Sequence, residues 1–186
     1  MRFPAVLLFA CCLPLTGAAQ VRDDLVTRYY EVQVRPGDSL NRQVRAASPI
    51  REGGEVFYGH THWNVHWDYR WNSEASGRCR LTSVQVSLRT EILLPQLRDA
   101  DSRQAAAFER FIAALRRHEM GHYEHGKQAA AEIERDLLGL PPADSCAALE
   151  AQANQGAQRS IARYAAMDVQ YDRETRHGVS QGARLE

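Results

Sequence analysis

The sequence predicts an α+β fold: a small antiparallel β-sheet, then a long helix, then a second C-terminal helix. Three observations carry that prediction. From Leu25 to about Arg98 apolar and polar residues alternate with period two, beyond Pro95 the period becomes that of a helix, and Gly139 with Pro141-Pro142 divides the helical part in two. A run of strands followed by a run of helices is the pattern of an α+β domain.

Residues 1–19 stand apart from this pattern. Arg2, an apolar run from Phe3 to Leu15 and small residues at Gly17 and Ala19 read as a secretory signal peptide cleaved near Ala19. The run is too short to cross a bilayer, which needs roughly 20 apolar residues. A lipoprotein signal on Cys11 or Cys12 is the weaker reading, because Phe9 suits such a site poorly. The remaining residues, 20–186, have the length of one domain, mainly β over 20–98 and mainly α over 99–186, and can bury a core without help from a metal or disulfide. The expected location is the periplasm or the extracellular space, with no transmembrane segment.

"VTRYYEVQV" (26–34) is rich in β-branched and aromatic residues and ends at Pro36-Gly37-Asp38, so it is expected to be a strand. "SLNRQVRAA" (39–47) follows as a short helix capped by Asp38 or Ser39, and Pro49 with Gly53-Gly54 marks a loop. In "YGHTHWNVHWDYRWN" Trp63, Val65, Trp67, Tyr69 and Trp71 share one face, and His62, Asn64, His66, Asp68 and Arg70 the other. After the loop "NSEASG", Thr82, Val84, Val86, Leu88, Thr90 and Ile92 share a face, and the two strands are expected to pair as an antiparallel hairpin. The tryptophan row reads as core. His60, His62 and His66 read as solvated surface, or as the wall of a cleft that an extended peptide could join as a strand.

Asp101 and Gln104 can form a capping box, and Phe108, Phe111, Ile112 and Leu115 recur at helical spacing, predicting a helix from about Ser102 to Leu138. Asp144 is the expected cap of a second helix reaching about Met167, and the tail "QYDRETRHGVSQGARLE" shows no clear period. Cys79 and Cys146 remain once Cys11 and Cys12 leave with the signal, and in an exported chain they are expected to form a disulfide.

Charge does not direct the chain to a partner: 23 basic and 23 acidic residues balance, so neither nucleic acid nor an anionic membrane is expected to bind through a global field. Local chemistry has to carry the function. His118-Glu119-Met120-Gly121-His122 matches H-E-x-x-H, and on a helix the four-residue spacing brings both histidines to within about 40° of one face. Glu119 lies about 100° from His118, so it is placed to move a proton beside the metal and not to bind it. Phe111, Leu115, His118, His122 and His125 continue one stripe, so the core-facing side of the helix turns from apolar to histidine without changing direction.

A catalytic zinc takes three protein ligands and keeps a fourth position open. Metzincin-type motifs would place a glycine and a histidine where this chain has His125 and Gln128, so that pattern is broken. The third ligand can come from His125 one turn on, from Glu150 on the second helix as in gluzincin-type sites, or from His177 in the tail.

The ordered set of an early tyrosine-containing strand, Gly59-x-Thr61-x-Trp63-x-Val65-x-Trp67, the Cys79 strand, H-E-x-G-H and a closing Y-D-x-x-T-x-H-G resembles a family of predicted secreted bacterial zinc-dependent proteases known as a domain of unknown function. The resemblance covers nearly all of residues 20–186. It implies a zincin-like fold, His118 and His122 as zinc ligands, Glu119 as general base, and Tyr171, Asp172, Thr175, His177 and Gly178 as part of the same site. On that basis His177 is the expected third ligand. Asp172 is expected to orient a ligand histidine, and Tyr171 to donate a hydrogen bond to the tetrahedral intermediate. The function expected is an exported zinc-dependent peptidase acting on peptide or protein substrates. The alternative is a non-catalytic periplasmic binding or assembly protein whose zinc is structural, closed by His118, His122, His125 and His177.

Overall fold

The computed structural model describes residues 21–185 other than Pro36. The signal-peptide and lipoprotein readings fall outside these residues, as does the Pro36 part of the first turn. Strand β1 (Arg22–Gln33) leads to helix α1 (Leu40–Ala47), the two-residue strands β2 (Arg51–Glu52) and β3 (Glu55–Val56), and the long strands β4 (His60–Ser73) and β5 (Cys79–Arg98). Helices α2 (Ser102–Leu138) and α3 (Cys146–Thr175) follow, and a 3₁₀ turn (Val179–Gln181) is the last element. The class is α+β.

The sheet is mixed and not wholly antiparallel. Its order is β1-β5-β4, with β4 antiparallel to β5 and β1 parallel to it from Arg22 opposite Ser87 to Gln33 opposite Arg98. Alternation predicts which side chains share a face, but it is silent on strand direction. Direction is set by the connection: the chain reverses once through α1 and β2-β3 to enter β4 and again in the turn after β4, so β1 and β5 run the same way. Pro95 is buried inside β5, a place proline usually avoids. Pairing with β4 starts opposite Leu93, so Pro95 lies beyond the two-sided part of the sheet, where its missing N–H costs least. The register shifts between Arg70 and Trp71, and Trp71 is left 41 % exposed while Val65 is buried and Trp63, Trp67 and Tyr69 are partly buried.

The caps follow the sequence closely. Ser39 caps α1, accepting from the Arg42 N–H, and Asp101 and Gln104 close the capping box of α2. Helix α3 is capped by Ser145, one residue after the expected Asp144, and runs to Thr175, eight residues past the expected end at Met167. Cys79 and Cys146 are joined by a disulfide that ties the start of β5 to the start of α3.

Helix α2 lies against the sheet and α3 against α2. Two of the buried clusters include α2. Phe108, Phe111, Ala114 and Leu115 of α2 pack with Val32, Val44, Ile92 and Leu94 at one end. Ala129, Ala130, Ile133 and Leu137 pack with Val65, Val86, Leu88, Ala153 and Ala157 at the other. Burying a large aliphatic or aromatic side chain contributes roughly 1.5–3 kcal/mol, so both ends of α2 are firmly held. His118 and His122 occupy the interval between the clusters, on the same buried stripe.

Candidate metal centre

His118 and His122 face α3, which runs antiparallel to α2 and brings Asp172 opposite the pair and Asp168 opposite His122 and His125. Asp172 Oδ1 lies 3.1 Å from His118 Nε2 and 3.2 Å from His122 Nε2, and the two Nε2 atoms are 3.4 Å apart. Both Nδ1 atoms already have acceptors. His122 Nδ1 donates to Asp168 Oδ1 (2.8 Å), and His118 Nδ1 donates to Gln181 Oε1 (3.2 Å). Gln181 Nε2 lies 2.9 Å from the Tyr171 hydroxyl, and Thr175 Oγ1, whose own proton goes to the Tyr171 carbonyl, is a second acceptor 3.4 Å from His118 Nδ1. With both Nδ1 protons so placed, the two Nε2 atoms and Asp172 Oδ1 call for positive charge between them, which a proton on one imidazole supplies and a metal ion could replace.

The electrostatics express the same demand. In the metal-free chain burial opposes charge on His122, but the hydrogen bonds and charges of Asp168 and Asp172 outweigh it and raise the pKa to about 9. Burial would raise Asp172, yet its contacts with His118, His122 and His177 hold it well below the usual carboxylate range. Asp168 is lowered in the same way, its burial outweighed by donors from His122, His125 and Trp63.

Glu119 is buried and points into the cleft beside the pair. Thr61 Oγ1 donates to its Oε2 (2.7 Å), and Oε1 takes no hydrogen bond among the described residues. Burial is the main influence on its carboxyl and pushes the pKa up, with Thr61, His118, His122 and His60 pulling the other way. Gly59 makes this placement possible: a Cβ there would sit 2.9 Å from Glu119 Cδ. The cleft, of about 470 Å³, is lined by residues that include Phe57, Tyr58, Thr61, Val169, Arg176 and Val179.

Of the residues the sequence put forward, His118, Glu119 and His122 come together. Asp172 falls in one group with His118 and His122 that could hold a metal ion, and His177, the expected third ligand, lies next to Asp172 and outside that group. Helix α3 continues through Thr175, which carries Asp172 onto the histidine pair, and the chain then turns through left-handed backbone at Arg176 (φ 52°) and His177 (φ 51°). His177 stays at the cleft, half-exposed, its Nδ1 3.2 Å from Asp172 Oδ1 and its ring against Phe57. Tyr171 is not among the residues lining the cleft: its ring stacks on His118 at 5.0 Å and its hydroxyl is bound to Gln181, an arrangement that supports the imidazole. His125 donates to Asp168 Oδ1 (2.6 Å). Glu150 is exposed in the first turns of α3, about 30 Å along the helix from Asp172. His60 lines the cleft, whereas His62 and His66 are exposed on β4.

Among the described residues two groups could hold a metal ion, His118–His122–Asp172 and His122–His125–Asp168. They share His122. The second uses Nδ1, the nitrogen whose proton Asp168 accepts, so occupying both would require an imidazolate; the first asks only for the lone pairs already turned inward. The four histidines expected of a closed structural site do not form one group. Asp168 and Gln181 were not singled out by sequence reasoning. A signal for Asp168 existed, since it precedes Asp172 by one helical turn and continues the stripe Ala157, Ser160, Tyr164.

Fold and site together define an α+β protein with a buried histidine–aspartate cluster able to hold a metal ion. The chain belongs to DUF922, a family of bacterial proteins of unknown function, whose family model matches residues 27–178. No curated protein and no solved structure matches it. No helix among the described residues is long and apolar enough to cross a membrane, and the Cys79–Cys146 disulfide is consistent with an extracellular protein.

Proposed function

We propose that the protein is an exported zinc-dependent peptidase of zincin-like architecture, with His118, His122 and Asp172 as metal ligands and Glu119 as general base. One observation carries the reading: three donor atoms from two helices converge at 3.1, 3.2 and 3.4 Å. Tetrahedral zinc with bonds of roughly 2.0–2.1 Å spaces its ligands by about 3.3 Å. Two imidazoles and one carboxylate are a zinc donor set, and a position left to solvent distinguishes catalytic from structural use.

Zinc held there would acidify a water and polarise the scissile carbonyl. The chain supplies the proton transfer. Glu119, fixed through Oε2 by Thr61, accepts the proton of the attacking water at Oε1 and delivers it to the departing amine. Asp168 keeps the His122 proton on Nδ1, and Gln181 does the same for His118, so that each Nε2 offers a lone pair. His177 is assigned to the cleft wall, and Tyr171 to holding the His118 ring.

Purified protein should carry about one zinc per chain, measured by elemental analysis, and should hydrolyse peptides. Glu119→Gln should keep the zinc and lose about 10²- to 10⁴-fold in kcat. Undiminished hydrolysis by that variant would sink the mechanism.

A further inference from the structure

The cleft carries charged groups that neither the metal site nor the proton transfer uses. Glu119, Asp168 and Asp172 are engaged with Thr61 and the histidines. Two guanidinium groups are not. Arg45, in the last turn of α1, and Arg176, which ends α3, both line the cleft. Neither side chain has an ion-pair or hydrogen-bond partner among the described residues, whereas Arg28, Arg98 and Arg163 each close on a carboxylate. The one other carboxylate at the cleft, Glu52, is on the exposed strand β2 and is not paired with either.

Arg176 is also held in a costly backbone. Its φ and ψ are 52° and 52°, and His177 follows with φ 51°. A side chain with a Cβ loses roughly 1–2 kcal/mol in this region, so two in succession persist only where the surroundings fix them. Here the Arg176 N–H is bonded to the Arg173 and Asp172 carbonyls, the His177 N–H to the Asp172 carbonyl, and Ser180 Oγ to the Thr175 carbonyl. Arg176 therefore projects from an anchored turn. The same cleft has an apolar lining from Ile50, Val56, Phe57, Val169 and Val179.

We infer that Arg45 and Arg176 form a carboxylate-binding subsite, so that the preferred substrates are peptides carrying a negative charge beside an apolar residue. A guanidinium pairs with a carboxylate through two parallel hydrogen bonds, and the adjacent apolar walls take the neighbouring side chain. An acidic side chain and a free C-terminus present the same chemistry.

The inference rests on the peptidase reading, and the experiment keeps the two apart. Four matched peptides, Phe-Glu or Phe-Gln in sequence and each with a free or amidated C-terminus, are assayed with the zinc-loaded protein. The ratio of kcat/KM for charged over uncharged peptide should fall by about 10- to 100-fold in Arg45→Gln and in Arg176→Gln, with Arg→Lys at either position intermediate. Arg103→Gln, at the exposed start of α2, should leave the ratio as it is. Dependence on the amidated pair alone would identify the C-terminus as the carboxylate, and dependence on the Glu/Gln pair alone the side chain. A ratio unchanged in both Gln variants would overturn the subsite. Should the wild type cleave none of the four, fluorescence anisotropy of the dansylated peptides on zinc-loaded Glu119→Gln decides. Charge-selective binding lost in the arginine variants would sustain the subsite while the peptidase reading fails; binding without charge selectivity would overturn it.

Discussion

The interface between α2 and α3 holds two networks built on one plan and put to different use. Near its disulfide-anchored end Glu132 accepts from Ser160 Oγ (2.6 Å) and pairs with Arg163; near its open end Asp168 and Asp172 receive His118, His122 and His125. In both, acidic side chains cross between antiparallel helices to polar partners. The partners make the difference. Arginine keeps its proton at every accessible pH and has no lone pair to give, so Glu132 forms a strap. Histidine can surrender its proton and bind through the same nitrogen, so the second network can exchange a proton for a metal ion.

The sharpest way to break the contrast is to remove the carboxylate where the networks differ most. Asp172→Ala should abolish stoichiometric zinc by elemental analysis, while His177→Ala should retain it. The reverse result would return His177 to the ligand set. Next, Asp168→Asn should weaken zinc binding about 10- to 100-fold in competition with a chromogenic chelator, because the His122 proton loses its charged acceptor. An unchanged affinity would reduce Asp168 to packing.

A smaller effect is expected from pH in the metal-free protein. His122 holds its proton to about 9 against an ordinary 6.5, so its contribution to stability is full below 6.5 and is lost as pH rises through 9. Asp168 and Asp172 are lowered from 3.8, so theirs is full above 3.8 and is lost as pH falls beneath it. Glu119 is raised from 4.5 by burial, so its contribution is full below 4.5 and is lost as pH rises above it. Urea denaturation should therefore show stability falling between pH 6.5 and 9, with zinc suppressing the fall by replacing the His122 proton. A flat profile without metal would contradict the His122–aspartate coupling. The smallest effect belongs to the strap. Glu132→Gln should cost no more than about 1 kcal/mol, since Arg163 is solvent-exposed, and should leave zinc content unaltered.

The legible parts of this molecule are those where apolar periodicity and local chemistry agree. Helix α2 could be read to its ends because the Asp101 cap, the Phe108–Leu115 stripe and Gly139 all indicate the same element. The pairing of β4 with β5 was readable for the same reason, and the Cys79–Cys146 bond from the count of cysteines left in an exported chain. The end of α3 was not, because its inward face changes from Ala153 and Ala157 to Asp168, Asp172 and Thr175, which a search for apolar repeats scores as a loop. That substitution of polar for apolar on a buried face is what builds the site. Asp172 could be placed near the histidines by motif, but its role depended on where α3 ends, a matter decided by packing against α2. The parallel direction of β1 was likewise invisible, being a property of the connection and not of the strand.

Gly121, the glycine inside H-E-x-G-H, bears on how such a motif should be understood. A Cβ there would lie 2.5 Å from Tyr171 Cζ, so the tyrosine ring sits where a side chain would otherwise be. The letter between glutamate and histidine is thus written by the opposite helix. It specifies how near a neighbour may come, and the ångström-scale meeting of His118, His122 and Asp172 is inherited from a single hydrogen atom.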